Sequence, residues 1–335
     1  MLYTYGLKAG LILARNGRPR GALRQLRVPV SYWRGVEFSL ICRWGGFDRD
    51  QRVLDIGSPK LLALYLATEV GAQVVASDLD PYFMRDYRCL GDAARLPSER
   101  FLPTVEDGRR LSFEDESFDR VYSISVVEHI PGEGDMECMQ EIARVLVPGG
   151  LALLTVPFAP LSRDVYRPAG YVYWNRSLPP DERGEVFFER RYSEEDLRLR
   201  LLEPSGLSLQ TMQFVGERIQ LPSQRDIWET IPWVLGPLHP VLSALLHEGP
   251  SDSWRALRHP ALAFVALRKG GGSSLSRSGL ATREARRSRL VRRRPGRRAG
   301  RASARRPDRN RWPRRRGRRA PATPLAADHG ALVAR

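Results

Sequence analysis

The sequence predicts an α/β protein built on a doubly wound, mostly parallel sheet. Three observations carry that expectation. Residues 52–57, Arg-Val-Leu-Asp-Ile-Gly, read as a buried strand ending in a carboxylate and a glycine turn, and the apolar residues Leu61, Leu62, Tyr65 and Leu66 behind it recur at helical spacing. Short β-rich segments alternate with helical ones from residue 52 to 156, the order of a parallel sheet with crossover helices. Leu151 to Val156 is apolar without interruption, as expected of a strand covered on both faces.

Residues 1–36 form a basic lead-in in which Leu2, Tyr3, Leu7, Leu11 and Leu13 sit among Lys8 and Arg15. A helix covering one side of the sheet is expected there, with an amphipathic, membrane-touching segment as the alternative. Tyr32 to Trp44 reads as a helix ended by Gly45-Gly46. In the stretch that follows, Gly57 permits a tight turn, and Pro59 suits the first turn of a helix, where its missing N–H is not needed. Gln73–Asp78 is the second strand, Pro81 opens another helix, and 103–108 is a third short strand with Asp107 in an acidic turn at its end. Phe118–Ile124 is the fourth strand. The helix over 136–146 is stopped by Pro148-Gly149-Gly150. Residues 157–191 are rich in aromatics, including Tyr166, Tyr171, Tyr173, Trp174 and Phe188. They suit either a wall for an acceptor or a packed cover on the sheet. Ser193 is an N-cap with Asp196 at the capping-box position. Strands at 207–215 and 261–267 bracket a Pro- and Trp-containing insert over 216–259.

Charge is unevenly placed. The chain of 335 residues has a net charge of +16, yet residues 269–335 hold 22 Lys and Arg against 3 acids. Residues 1–268 hold 32 basic and 35 acidic side chains and are close to neutral. The segment 270–335 is Arg-rich, of low complexity and poor in large apolar residues, so a disordered tail is expected. Through 283–319 it suits nonspecific attachment to nucleic acid or anionic lipid phosphates. Trp312 is its only aromatic, which leaves little for base stacking. Cys42, Cys89 and Cys138 lie far apart, without the spacing of a disulfide framework or zinc site, and no metal is expected. No run reaches the ~18 apolar residues of a membrane span. A cytoplasmic protein is expected, with peripheral contact to a membrane as the alternative.

Asp78 closes the second strand 23 residues after Asp55. An acid there suits the ribose hydroxyls of a nucleoside cofactor. A dinucleotide needs further glycines so that backbone can approach its pyrophosphate. Pro59 and Leu61 stand at those positions. A cofactor without phosphates does not need that approach, and S-adenosylmethionine is one. The loop resembles the acid-x-Gly-x-Gly-x-Gly motif of class I S-adenosylmethionine-dependent methyltransferases, keeping the acid Asp55 and the first glycine, Gly57. Residues 106–156 resemble the type 11 family more closely: an acid-rich turn from Glu106, Phe118-Asp119 opening a strand, Glu128-His129-Ile130, and Glu141-Ile142-Ala143-Arg144-Val145-Leu146 before Pro148-Gly149-Gly150. The resemblance extends over about 37–269.

The resemblance implies a Rossmann-like, seven-stranded sheet whose last strand is antiparallel, and a methyltransferase domain over 37–269. It places Asp55, Gly57 and Ser58 along the methionine part of S-adenosylmethionine and Asp78 on the ribose. It gives Asp107 to the adenine amino group, with Gly108 beside the ring, and sets Ser123 and Ile124 flanking the methionine. Taken alone, an Asp at a strand end also serves as a turn or helix cap, but three acids closing three successive strands share one edge of the sheet. His129 is a candidate general base, with a structural role at the start of a helix as the alternative. The expected activity is methyl transfer to a small-molecule, lipid or glycan-precursor acceptor. The rivals are an RNA methyltransferase using the basic tail and a non-catalytic, methyltransferase-like binding protein, which the altered glycine loop keeps in play.

Overall fold

The computed structural model describes residues 1–169, 179–219 and 233–271, apart from the side chains of 82, 83, 85, 86 and 233–235. Tyr171, Tyr173 and Trp174 of the aromatic stretch, part of the 216–259 insert and the tail, with the 283–319 segment expected to contact phosphates, lie outside the described residues. Residues 1–271 form one compact unit.

Five parallel strands make one side of the main sheet: β1 (Arg52–Ile56), β2 (Gln73–Asp78), β3 (Phe101–Val105), β4 (Phe118–Ile124) and β5 (Leu146–Pro157). A hairpin follows, β6 (Arg163–Pro168) and β7 (Glu185–Arg191), then β8 (Ser208–Glu217), β9 (His247–Ser251) and β10 (His259–Arg268). The main sheet has the order β3-β2-β1-β4-β5-β10-β8-β9. β10 runs antiparallel to β5 and to β8. Seven of these strands are those the sequence predicts. The eighth, β9, comes from the insert and pairs antiparallel with β8, extending the sheet where a seven-stranded one would end. Its residues, His-Glu-Gly-Pro-Ser, lack the apolar alternation that marks a strand. An edge strand needs only one neighbour and can be made of such residues.

Val53 and Leu54 at the centre are fully buried, as are Val121, Leu153 and Val265 of neighbouring strands. Helices α1 (Leu2–Arg15), α2 (Pro19–Arg27) and α3 (Tyr32–Gly45) precede the sheet. α1 buries Tyr5, Ala9 and Leu13 in the core on one face. α3 ends with Gly46 in the left-handed region at φ 50°, where glycine avoids a Cβ penalty. α4 (Leu61–Tyr65) continues as a π-helical turn to Val70, and α5 (Pro81–Ala93) and α6 (Gly134–Val145) are crossover helices. Helix α7 begins at Glu194–Asp196, where Ser193 Oγ accepts from Asp196 N at 3.2 Å, the expected cap. It continues π-helically through Leu197–Leu202. α8 (His239–Leu246) leads into β9.

The β6–β7 hairpin is tied to the sheet by one buried carboxylate. Asp135 at the start of α6 accepts from Arg190 Nη1 at 2.8 Å, Tyr192 OH at 2.8 Å and Arg200 Nη2 at 2.7 Å. Two guanidinium groups on one fully buried Asp offset its desolvation. This junction fixes β7, and with it Phe188 and Glu189, beside the end of β4.

Candidate active site

The carboxyl ends of β1, β2 and β4 are joined by short polar links. Gly57 has φ 64°, and a Cβ added there would lie 2.6 Å from Val126 Cγ1, so both conformation and space require glycine. Asp55 is fully buried. Its Oδ1 accepts from Ser58 N at 3.0 Å, while Oδ2 lies 3.3 Å from Lys60 Nζ. Ser58 Oγ in turn accepts from Ile124 N at 2.8 Å, and Ser123 Oγ donates to Ile56 O at 3.3 Å. Asp55, Ser58, Ser123 and Ile124 therefore come together, buried, with these contacts stitching the loop after β1 to the end of β4.

Lys60 is the unexpected member. It is 1 % exposed and donates to Ser77 O at 2.6 Å. Its ammonium is also 3.9 Å from Asp78 Oδ2. Two carboxylates ending adjacent strands repel one another, and the ammonium between them offsets that repulsion. Burial raises the Asp55 carboxyl to about 6 even with Lys60 beside it. Burial also raises Asp78, and Lys60 opposes the shift. A sequence signal existed: Lys60 is one of three lysines in the chain and stands inside the motif loop.

Asp107 lies in the turn beyond β3, which ends at Val105. Its carboxylate is gripped by Arg109, with Nε to Oδ1 at 3.0 Å and Nη2 to Oδ2 at 2.7 Å, and this pairing holds it below the usual carboxylate range. Gly108 packs closely: an added Cβ would meet Cys138 Sγ at 3.1 Å and Ile56 Cγ2 at 3.3 Å. Asp78 and Asp107 keep 17 % and 33 % of their side chains exposed, so a nucleoside could reach both. The residues thus fit an S-adenosylmethionine-type ligand through Asp78 and Asp107, while Asp55 shapes the loop from inside.

On the other side of β4 is a cavity of about 170 Å³ lined by α3, the turn after β4, and β7, among other residues. Ser125 takes a left-handed φ of 51°, which turns the chain out of β4. Its hydroxyl donates to Glu37 of α3. Glu37 is fully buried, accepts from Thr155 Oγ1 at 3.0 Å and pairs with Arg34 at 2.6 Å. Val127–His129 forms a single 3₁₀ turn. His129 Nδ1 lies 2.6 Å from Phe188 O. A carbonyl only accepts, so Nδ1 carries the hydrogen and, in the neutral ring, Nε2 carries the lone pair. Burial lowers the His129 pKa and favours that neutral ring. Nε2 is 3.8 Å from Glu128 Oε1. Burial raises the Glu128 carboxyl well above the ordinary glutamate value.

Glu37, Arg34, Ser125 and Glu189 were not singled out by sequence. Glu37 had a signal, since it stands four residues from both Trp33 and Ile41 on a helical face whose other members are apolar. Among the described residues no group of three or more His, Cys, Asp or Glu is placed to hold a metal, and no helix is long and apolar enough to cross a membrane.

Comparison with known proteins bears on the cofactor side of this site. A family model described as a methyltransferase domain matches residues 54–154. An uncharacterized protein of Haemophilus influenzae is 32 % identical over 110 residues, covering 32 % of this chain and 43 % of that protein. A demethylmenaquinone methyltransferase of Parafrankia is 34 % identical over 144 residues, covering 38 % and 54 %. The chain thus spans about half the length of the curated relatives it matches. Among solved structures, a putative methyltransferase of Bacillus halodurans aligns with 17 % identity and a TM-score of 0.46, over 70 % of this chain and 100 % of that one. A phosphoethanolamine N-methyltransferase of Haemonchus contortus in complex with S-adenosyl-L-methionine gives 20 % identity and 0.44, over 70 % and 52 %. The methyltransferase-domain match thus covers residues 54–154, from the end of β1 into β5, which is the stretch that carries Asp55, Asp78 and Asp107.

Proposed function

We propose that the protein is an S-adenosylmethionine-dependent methyltransferase acting on a small-molecule, lipid or glycan-precursor acceptor. The observation that carries the reading is the placement of Asp55, Asp78 and Asp107 at or just beyond the ends of three neighbouring parallel strands, within or beside the matched domain. The cofactor, when bound, supplies an electrophilic methyl group on a sulfonium. Asp78 would hold the ribose hydroxyls and Asp107 the adenine amino group. Ser58 and Gly57 would keep the loop shaped for the methionine part, with Ser123 and Ile124 beside it. His129 Nε2 would accept the proton lost by the acceptor. The protein's main contribution is alignment of nucleophile and methyl group.

A second reading, a binding protein without turnover, is supported by Lys60, which puts a cation between Asp55 and Asp78 beside an altered glycine loop. Calorimetric titration of the full chain with S-adenosylmethionine decides between them. Micromolar binding, weakened roughly 10–150-fold in Asp78→Ala, is expected, because a hydrogen bond to a charged group contributes about 1.5–3 kcal/mol. No binding by the folded wild type would overturn the cofactor site. Binding without turnover on any acceptor would favour the second reading. A tail-dependent RNA methyltransferase predicts loss of activity when 272–335 are deleted.

A further inference from the structure

The cavity between α3, the turn after β4, and β7 has a volume of about 170 Å³. A cavity of roughly 150 Å³ takes a benzene ring, so this one holds a single ring-sized head group while the rest of a larger acceptor stays outside. Its lining residues include Glu37, Glu128, Glu189, Arg34, Trp33 and Phe188.

These charges are not equally engaged. Glu37 is bound by Arg34 at 2.6 Å and by two hydroxyls. Glu189 accepts from Arg191 at 3.0 Å. Glu128 is 1 % exposed, and its Oε2 has no hydrogen-bond partner among the described residues. An anionic head group would meet that carboxyl with Arg34 already committed to Glu37. A hydroxyl would satisfy the oxygen but leave its charge, once ionised, uncompensated. A protonated amine does both, and a buried charge is tolerated when it is paired and hydrogen-bonded. Aromatic residues in the lining, Trp33 and Phe188, suit a cation as well.

We propose that this cavity receives the amine end of the acceptor, with Glu128 Oε2 accepting the ammonium hydrogen, so that the methyl group is transferred to nitrogen. The proposal rests on the methyltransferase reading for its reaction, but the amine site stands on the geometry alone. In the reaction one ammonium proton passes to His129 Nε2, and the freed nitrogen lone pair forms the C–N bond. The C–S bond breaks with its electron pair remaining on sulfur. The product leaves as a methylated ammonium, and His129 returns its proton to solvent.

The test uses the full chain and three probes matched in size: benzylamine, benzyl alcohol and benzoate. Binding is followed by calorimetry and by ligand-observed NMR. Benzylamine is expected to bind at least about tenfold more tightly than benzyl alcohol, with release of the Glu128 proton seen as a buffer-dependent enthalpy, and benzoate is expected not to bind. Glu128→Gln, checked for folding by its thermal transition, is expected to erase the preference. The wild-type ranking decides alone if that variant does not fold. Equal or tighter binding of the alcohol or benzoate, failure of benzylamine to bind at millimolar concentration, or a preference that survives in folded Glu128→Gln overturns the amine site. Parallel titration with S-adenosylmethionine separates the two claims. Cofactor binding without amine preference sinks only this inference. Amine preference without cofactor binding sinks the methyltransferase reading and leaves an amine-binding site.

Discussion

At the end of β1, Asp55 is fully buried, and its Oδ2, though without a hydrogen bond, has the Lys60 ammonium 3.3 Å away, whereas beyond β4 the almost as deeply buried Glu128 has an Oε2 with neither a hydrogen bond nor a paired cation among the described residues. The cofactor edge brings its own cations, Lys60 and Arg109, to the acids that shape it. The cavity leaves one acid for an incoming group. A self-neutralised site is stable when empty, and on the function proposed above it would bind through the exposed faces of Asp78 and Asp107. A site with an unsatisfied carboxyl is less stable when empty and selects the ligand that completes it.

The largest expected effect breaks the first half of that contrast. Lys60→Met strands Asp55 without its buried partner, and removing one member of a buried pair costs about 3–5 kcal/mol. Denaturant unfolding should show this loss, and the double variant Lys60→Met/Asp55→Asn should recover much of it. A single-variant loss below about 1 kcal/mol, the range of exposed pairs, would mean the lysine does not hold the edge.

A smaller change sharpens the cavity side. Thr155→Val removes one hydrogen bond to the Glu37 carboxylate and should cost roughly 1.5–3 kcal/mol while leaving S-adenosylmethionine affinity unchanged. A loss of cofactor affinity instead would join the two regions into one.

The third test has the opposite sign. A carboxyl raised in the folded state binds its proton more tightly there than in the unfolded chain. Its effect is to lower stability as pH rises from the unfolded glutamate value toward the folded one. Glu128→Gln removes that slope. It should therefore gain on wild type as pH rises, by roughly 1–3 kcal/mol at most, and show little difference at pH 4. Asp55, raised to about 6, contributes a slope of the same sign between pH 4 and 6 in both proteins, so the comparison is made between variants across the whole range. An unchanged slope would mean that Glu128 is not the unsatisfied acid.

The cofactor edge was legible because its parts are local. Asp55, Gly57 and Ser58 fall within four residues, and Asp78 is one strand and one helix away. Strand period, glycine turn and acid at the strand end can all be read along the chain. The role of Lys60 was not legible, although its position was. Whether a lysine in that loop points to solvent or inward depends on the two carboxylates that meet across β1 and β2.

The cavity was hidden for a related reason. Glu37 meets Thr155 across 118 residues, and His129 meets the carbonyl of Phe188 across 59. Neither separation leaves a pattern in composition or spacing. The eighth strand shows the same limit, since its pairing with β8 is supplied by backbone groups that every sequence has.

By itself the sequence determined the doubly wound sheet and the order of acids along its edge, because burial periodicity and turn chemistry act between near neighbours; the methyltransferase reading came from the resemblance of residues 106–156 to a known family. Only the tertiary structure decided which of those acids is neutralised from within and which carboxyl is left without a partner. Desolvation and charge pairing depend on distance in space, and chain separation does not record it.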